Sequence, residues 1–481
     1  MTIERLIKKA VDVNPEINKE ELLKAYNFAK NAHEGQKRRS GEDYIEHCLH
    51  TAFNLAQIRA DQSTIIAGIL HDVPEDTIHT VEEIRELFGD DVAGLVEGIT
   101  KLGKIKYRGI ERYRENLKKM FLAMIDDIRI IYIKFCDRLH NLKTLDSLPE
   151  NKQQRIAKET LEIYAPIAGI MGIWRLKWQM EDICFKYLYP NEYKKIEYKY
   201  EIEKKAERNQ FFNKIKNRLE QELDKINIEY EISTRFKHLY SIWQKMQMKE
   251  RKFDEIYDVF ALRVVVNNVE DCYKILGIIH SIWKPISRRF KDYIAIPKPN
   301  GYRSLHTTII GPDGKATEFQ IKTKEMHEES LYGLASHWNY KNKGNTEKPT
   351  WIKEILEIQK ENKDTENFVQ DIKTNIFQDR IFVFSPKGDV IELPEKSTPI
   401  DFAYAIHTDI GNKTSAALIN EKMSPINQEL KNGDVIEIIT EKNRKGPNLQ
   451  WLDFVKTKHA KDRIKQYSES KTFYKIKNMF K

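Results

Sequence analysis

Four residues able to bind a divalent ion occur as His47, the adjacent pair His71-Asp72, and Asp137, each at or near the end of an apolar helical run. Two imidazoles and two carboxylates around one ion suit a borderline-to-hard metal such as Mn, Fe or Zn, whereas calcium prefers oxygen alone. Glu75 and Asp76 follow four residues after the His-Asp pair, close enough to position and deprotonate an attacking water. Pro74 lies between them and would clash with the carbonyl of Leu70 in a continuous helix, so Glu75 and Asp76 are expected on a turn.

A second group of chemistry-bearing residues lies further along. Arg235, Lys237, Lys245, Arg263, Arg288, Arg289, Lys291, Lys298 and Arg303 flank a series of β-branched runs that contain few carboxylates. Cations gathered in this way stabilise polyphosphate charge, and arginine adds bidentate contacts. Asp258 precedes one β-run and Glu318 lies inside another, where alternation sets it on the face opposite Phe319 and Ile321. Two such carboxylates can hold Mg and take a proton from a ribose hydroxyl. Neither G-x-x-x-x-G-K-[ST] nor G-x-G-x-x-G occurs, so phosphates must be held by side chains and not by a glycine-rich loop.

These residues need elements to hold them. The chain has 481 residues, enough for roughly three domains at about 150 residues each. Residues 1 to about 190 carry apolar positions at helical spacing, as in Glu20–Ala32, Thr64–Leu70, Glu115–Ile125 and Lys152–Ala168, and read as one all-α unit. Tyr193–Asp224 reads as a connecting helix. From Asn227 onward, strands are expected at Ile228–Ile232, Val259–Val266, Tyr293–Ile296, Thr307–Ile310 and Thr317–Ile321, with helices at Lys237–Met248 and Val269–Trp283, which makes an α/β domain. A helical Trp351–Lys373 leads to a third unit of two strands, a helix opened by Pro399, and two more strands about an Asn432-Gly433 turn, a ubiquitin-like (β-grasp) pattern.

Composition narrows the class. Charged residues make up 32% and apolar ones 40%, and no apolar stretch approaches the roughly 18 residues of a membrane span. Met1–Asn14 has no secretory signature, so the cytoplasm is the expected compartment. Cys48, Cys136, Cys184 and Cys272 are far apart, which excludes a disulfide scaffold and a paired-thiolate zinc finger. Lys plus Arg number 81 against 73 Asp plus Glu, yet residues 441–481 alone hold 12 against 4. The basic excess therefore sits in the tail, where Lys456, Lys458, Lys461, Arg463 and Lys465 are placed to touch RNA or to form a solvated helix face.

The stretches HEGQKRRSGEDYIEH (His33–His47), LHDVPEDT (Leu70–Thr77) and DRLHNLKTL (Asp137–Leu145) resemble the HD-type hydrolase domain of the long RelA/SpoT-homologue family, the stringent-response enzymes that make and destroy ppGpp and pppGpp. The resemblance implies that His47, His71, Asp72 and Asp137 hold Mn, that Glu75 and Asp76 handle the water, and that Arg38 and Asn141 contact the guanosine nucleotide. The implied reaction is hydrolysis of the 3′-pyrophosphate to GDP or GTP plus pyrophosphate. Cys48 stands where the family commonly has Pro, and Cys136 where it has Ala; both are expected to be inert core thiols.

RFKHLYSIWQKM (Arg235–Met246), YDVFALRV (Tyr257–Val264), RFKDYIAIPKPNGYRSLHTTI (Arg289–Ile309), EFQIKTKEMH (Glu318–His327) and GLASHWNYK (Gly333–Lys341) are similar to the nucleotidyltransferase-like synthetase domain of the same family. This implies a GTP pyrophosphokinase, which transfers pyrophosphate from ATP to the 3′ oxygen of GDP or GTP with AMP leaving. By the resemblance, Asp258 and Glu318 are the Mg and base carboxylates, and Tyr302 stacks on guanine. Arg235, Lys237, Lys291, Lys298, Asn300 and His306 bind nucleotide. Arg289–Asp292 has the form seen in bifunctional members. Arg303 replaces the usual Gln and Thr234 the usual Gly, departures that bear on the preference between GDP and GTP.

FVFSPKGDVIELPEKSTPIDFAYAIHTDIG (Phe382–Gly411) resembles the TGS domain of the family, in which the residue corresponding to His407 is associated with the 3′ end of deacylated tRNA. Ile400, Ala403, Tyr404 and His407 share a helical stripe, so a packed, hydrogen-bonded histidine is the competing expectation. The expected layout is a hydrolase domain at 1–190, a helical connection at 191–226, a synthetase domain at 227–345, a helical linker at 346–376, a TGS domain at 377–440 and a basic tail at 441–481. No cysteine follows the TGS segment to form the family's zinc-binding region, so ribosome anchoring is not expected. Two rivals fall to other features. A nucleotidyltransferase that matures tRNA ends would need G-S followed by D-x-D, and neither occurs; a silent tRNA- or ribosome-binding regulator would not need both sets of ligands.

Overall fold

Polar residues ahead of the apolar runs close the helix starts. In the computed structural model, Asn18 accepts the Glu20 N–H at 2.9 Å, Asp61 the Thr64 N–H at 2.7 Å, and Asp127 the Arg129 N–H at 2.9 Å. The structure describes residues 1–103, 118–123, 126–199, 205–226, 228–249, 260–298, 301–333, 380–431, 433–444 and 446–479. They fall in two compact units, Met1–Ile352 and Lys353–Lys481. The expected helix at Trp351–Lys373, residue Asn432, the catalytic candidate Asp258 and the nucleotide-binding candidate Asn300 lie outside the described residues.

The first unit opens with helices α1 (Ile3–Val13), α2 (Lys19–Ala32), α3 (Tyr44–Gln57), α4 (Gln62–Leu70), α5 (Val73–Asp76), α6 (Val81–Gly103), α7 (Ile128–Lys143), α8 (Glu150–Glu159), α9 (Ala165–Ile170), α10 (Trp174–Leu188), α11 (Pro190–Glu197) and α12 (Lys205–Leu223). α3 packs on α4 and α7, and α4 on α6, so that Leu49, Leu55, Ile66, Ile69, Ile131 and Phe135 are buried at the centre. Each such side chain contributes about 1.5–3 kcal/mol on burial. Pro74 does end α4 at Leu70, as its missing N–H requires, but Glu75 and Asp76 do not sit on a turn. Pro74 occupies the first turn of the short α5, where no intrahelical partner is lost, and both carboxylates are helical. The run expected to be one helix to Ala168 is also divided. The Ala165 N–H bonds back to the Thr160 carbonyl in a π-turn, Thr160–Tyr164, which precedes Pro166.

The α/β part is a five-stranded sheet in the order β1-β2-β5-β4-β3, with β1 (Tyr230–Phe236), β2 (Phe260–Val266), β3 (Lys291–Asp292), β4 (Leu305–Ile310) and β5 (Ala316–Thr323). Among the described strands of this sheet, β2 and β5 pair in parallel and the other pairs are antiparallel. Helices α13 (Leu239–Lys249), α14 (Val269–Ile282) and α15 (Lys324–Tyr332) complete it. Leu262, Val264, Leu305, Ile309, Phe319 and Ile321 point from the sheet into one core shared with α12 and α14. The alternate positions, including Arg235, Arg263, His306, Glu318 and Gln320, therefore share the other face. The expected strand Tyr293–Ile296 is a turn. The Asp292 carboxylate accepts the N–H groups of Ile294 and Ala295 at 2.9 Å each, and this local bonding overrides the β-branched composition.

The second unit holds the hairpin β6 (Arg380–Phe384) and β7 (Val390–Pro394), and a sheet β10-β8-β9 made of β8 (Thr414–Ile419), β9 (Lys422–Ser424) and β10 (Ile436–Thr440). The short β9 was not foreseen. The expected single helix to Gly411 is two, α16 (Pro399–Ile406) and α17 (Thr408–Lys413), because His407 is extended (φ −164°) and caps α17. α18 (Lys458–Met479) begins against this unit, with Ile400, Tyr404, Trp451, Val455, Ala460 and Ile464 in one cluster. The start of the basic tail is thus part of the packed unit and not a free extension.

Buried Asp401 fastens this joint. Its Oδ2 accepts from the Thr398 N–H and hydroxyl at 2.8 and 2.9 Å, and its Oδ1 from the Lys456 N–H, Thr457 N–H and Thr457 hydroxyl at 2.9, 2.7 and 2.8 Å. Asp401→Ala strands these donors and is expected to destabilise the unit by on the order of 3 kcal/mol or more. Calorimetry of the full chain should show one transition moved down by several degrees; an unmoved thermogram would contradict the role. Among the described residues, no helix is long and apolar enough to cross a membrane.

Candidate active sites

In the helical domain, α3 supplies His47, the end of α4 His71 and Asp72, α5 Glu75 and Asp76, and α7 Asp137. Ligand atoms of His47, His71 and Asp137 lie within 4.8 Å of one another. Asp72 joins them, with Oδ2 3.3 Å from His47 Nε2 and Oδ1 3.2 Å from His71 Nε2. His71 Nδ1 lies 3.0 Å from the Gly68 carbonyl, an acceptor only, so the proton is on Nδ1. Its Nε2 is buried, makes no hydrogen bond, and faces the cluster. A buried, orphaned imidazole nitrogen beside two carboxylates is what a divalent metal site requires, so these residues fit one.

The surroundings keep the two aspartates ionised. Burial opposes ionisation of Asp137, but Lys134, 2.8 Å from Oδ2, and then His47 and His71 outweigh it and hold the carboxyl well below its ordinary range. Burial likewise opposes Asp72, and His71 and His47 overcome it. Glu75 differs: burial pushes its carboxyl up despite Lys134, the direction that favours a proton acceptor. Arg38 Nη2 donates to Asn141 Oδ1 at 2.5 Å, and Asn141 Nδ2 to Asp137 Oδ1 at 2.6 Å, so both expected nucleotide contacts border the metal cluster. They line a cavity of about 430 Å³ with Lys37, Arg39, Lys134 and Arg138, a cationic wall for an anionic substrate.

Three residues here were missed by the sequence reading. The Tyr44 hydroxyl lies 3.0 Å from Asp72 Oδ2 and 2.5 Å from Asp76 Oδ2, His140 Nδ1 lies 2.8 Å from His47 Nδ1, and Lys134 pairs with Asp137. Each is three residues from a ligand on the same helix, a same-face spacing that would have identified it. Cys48 and Cys136 are fully buried, and burial raises both thiols well above their ordinary value, so neither is reactive.

On the α/β sheet, register rather than sequence proximity builds the second site. Arg235, Ala261, Glu318 and Thr308 form one cross-strand row; Arg263, Gln320, His306 and Lys291 form the next. His306 Nδ1 is 3.3 Å from Glu318 Oε1, and its Nε2 is 2.8 Å from the Tyr302 hydroxyl. Burial opposes the Glu318 charge, but His306, Gln320 and Arg235 hold its carboxyl down at about 2. Lys298 lies over the Tyr293 ring at 5.1 Å and Lys291 at 6.0 Å, while Lys237 directly follows β1. Arg303 pairs instead with Glu329 of α15, its Nη2 donating to Oε1 at 3.0 Å and to Oε2 at 2.9 Å. Lys322, also unforeseen, is buried with Nζ 4.7 Å from the Tyr302 ring centre. Arginines around one ionised carboxylate can hold a polyphosphate while the carboxylate accepts a proton.

His407 is exposed, and its Nδ1 accepts the Asp409 N–H at 3.2 Å. The helix break therefore takes it out of the stripe of Ile400 and Tyr404, and the packed alternative fails.

Residues 25–174 match the HD domain family, 234–345 the region found in RelA / SpoT proteins, and 381–440 the TGS domain. The chain is 46% identical over 471 residues to a guanosine-3′,5′-bis(diphosphate) 3′-pyrophosphohydrolase of Aquifex aeolicus, covering 97% of this chain and 67% of that one. It is 45% identical over 461 residues to the bifunctional (p)ppGpp synthase/hydrolase SpoT of Escherichia coli (94% and 65%). It is 43% identical over 463 residues to a GTP pyrophosphokinase of Myxococcus xanthus (94% and 61%). The chain thus spans roughly two thirds of the length of these relatives.

Proposed function

The chain belongs to the RelA/SpoT family, and on that premise we propose that it is a bifunctional alarmone enzyme, making (p)ppGpp on its sheet and hydrolysing it in its helical domain. The observation that carries this reading is the presence of both sites with their chemical groups assembled, His47, His71, Asp72 and Asp137 in one and Glu318, His306 and Arg235 in the other.

In hydrolysis, His47, His71, Asp72 and Asp137 would hold the divalent metal, which we take to be Mn²⁺ and which supplies Lewis-acid activation of water. Arg38 and Asn141 orient the guanosine nucleotide, and the cationic wall binds the 3′-pyrophosphate. Glu75, with its raised proton affinity, takes the proton of the attacking water, while Tyr44 holds Asp76 in place. Water adds to the phosphorus attached to the 3′ oxygen, that P–O bond breaks, and GDP or GTP and pyrophosphate leave.

In synthesis, Tyr302 stacks on guanine, and Arg235, Lys237, Lys291, Lys298, Asn300 and His306 hold the nucleotides. Asp258 and Glu318 would hold Mg²⁺, which would supply charge neutralisation for the ATP phosphates, and Glu318 accepts the proton of the 3′-hydroxyl. The 3′ oxygen bonds to the β-phosphorus of ATP, the α–β bridging bond breaks, and AMP leaves. The exposed His407 offers a contact for the 3′ end of deacylated tRNA. The layout of a hydrolase at 1–190, a connection at 191–226, a synthetase at 227–345, a linker at 346–376, a TGS unit at 377–440 and a tail at 441–481 goes with this reading, as does a cytoplasmic location.

Product identity tests it. Purified protein given ppGpp and Mn²⁺ should release GDP and intact pyrophosphate in equal amounts; stepwise release of inorganic phosphate would overturn the hydrolase assignment.

A further inference from the structure

Gln320 occupies the centre of the catalytic face of the sheet and is 3% exposed. A buried amide in such a place must satisfy both of its ends. Its Nε2 donates to Glu318 Oε1 at 2.9 Å, and its Oε1 accepts from Arg235 Nη1 at 2.8 Å. The chemistry of the partners fixes this orientation. A carboxylate can only accept and a guanidinium can only donate, so a flipped amide would lose both bonds.

The register explains how Arg235 reaches Gln320. Arg235 pairs with Ala261, which is level with Glu318, so between arginine and carboxylate stands only a methyl group. The arginine crosses that gap to the neighbouring row, where Gln320 lies directly opposite His306. From the other side, His306 Nδ1 approaches Glu318, and the Tyr302 hydroxyl lies on His306 Nε2. One chain of polar contacts therefore runs Arg235, Gln320, Glu318, His306, Tyr302 across the sheet, with the carboxylate in its middle.

The two ends face different substrates. On the proposed synthesis chemistry the acceptor hydroxyl lies beside Glu318 with its base against Tyr302, which leaves the arginine side, with Arg235 and Arg263, to the phosphate donor. We infer that Gln320 is a positioning residue that ties Arg235 to the Glu318 carboxylate, so that the donor-side arginine aims the proton acceptor for transfer. The inference rests on the sheet being the synthetase site. Removal of Gln320 leaves Glu318 held from the His306 side alone and Arg235 free of its buried acceptor. A misaimed carboxylate lowers turnover more than it lowers binding of the guanosine nucleotide.

The test compares full-length wild type with Gln320→Met, Arg235→Met and the double variant, in synthesis from ATP and GDP, with ppGpp hydrolysis as the check on folding. Gln320→Met should lower kcat for synthesis between about tenfold and a hundredfold, with KM for GDP changed less than about threefold. The double variant should be close to the slower single one, because both changes cut the same link. Gln320→Glu, which keeps the acceptor for Arg235 but sets a carboxylate against Glu318, should also lose kcat and answers for the case in which Gln320→Met fails to fold. A kcat within twofold of wild type, or effects that multiply in the double variant, would overturn the role of Gln320 alone. A wild type that makes no ppGpp would instead overturn the synthetase reading beneath it.

Discussion

Asp72→Ala is expected to abolish ppGpp hydrolysis, by about a thousandfold or more, and to leave synthesis from ATP and GDP within about twofold of wild type. Loss of an outer-shell partner of a metal ligand typically costs about 10–100-fold, and Asp72 is itself placed as a ligand. Its two oxygens lie 3.3 Å from His47 Nε2 and 3.2 Å from His71 Nε2, and the Tyr44 hydroxyl lies on the former, so one side chain organises both imidazoles and the tyrosine that reaches Asp76. Nothing on the sheet depends on it, since the synthetase face is built by strand register. Paired assays on one preparation check both halves of the statement. Retained hydrolysis, or a parallel fall in synthesis, would remove Asp72 from the metal site.

Glu318→Ala should have the reverse effect. A positioned general base contributes typically 10²–10⁴-fold, and synthesis is expected to fall by at least about a hundredfold while hydrolysis persists. The substitution removes the ionised carboxylate at the centre of the polar chain, leaving His306 and Gln320 without their shared partner. His306 still faces Tyr302, so guanosine nucleotide binding should weaken less than turnover. Kinetics at saturating ATP with varied GDP separate these effects. Synthesis at the wild-type rate would show that another group takes the proton.

Much of the site was legible because ligand chemistry lies at the ends of apolar helical runs and on alternate strand positions. His71 and Asp72 follow α4 directly, and Glu318 stands between the buried Thr317 and Phe319 positions of β5, so neighbours in sequence already dictate which face they share. The errors arose where local polar bonding defeats pattern. Asp292 turns Tyr293–Ile296 into a loop by capping two N–H groups, although the composition of the segment favours a strand. His407 was set on a helical stripe, yet Thr408 and Asp409 start a new helix after it and use its imidazole as the cap. Pro74 was correctly read as a break, but its freedom to sit in a first helical turn restores helix to Glu75 and Asp76.

The residues that escaped notice share a different property. Gln320 bonds Arg235 of another strand, Lys322 lies over Tyr302 of a loop, His140 meets His47 of another helix and Lys134 pairs with Asp137 one turn on, and the first three are almost fully buried. Helical spacing links His140 and Lys134 to Asp137, but for Gln320 and Lys322, which in sequence resemble surface residues, only tertiary register reveals the groups they face. The basic tail shows the same effect in reverse. Its charge suggested an independent segment, but Asp401 binds the backbone of Lys456 and Thr457 and draws the start of α18 into the second unit.

A nucleotide time course on the purified chain tests most directly whether two opposed alarmone activities reside in it. One reaction contains ATP with GDP or GTP and Mg²⁺, the other ppGpp with Mn²⁺, each with and without deacylated tRNA. The expected result is AMP appearing in step with newly formed (p)ppGpp in the first, and ppGpp converted to GDP and pyrophosphate in the second. A protein that neither forms nor consumes ppGpp under any of these conditions would contradict it.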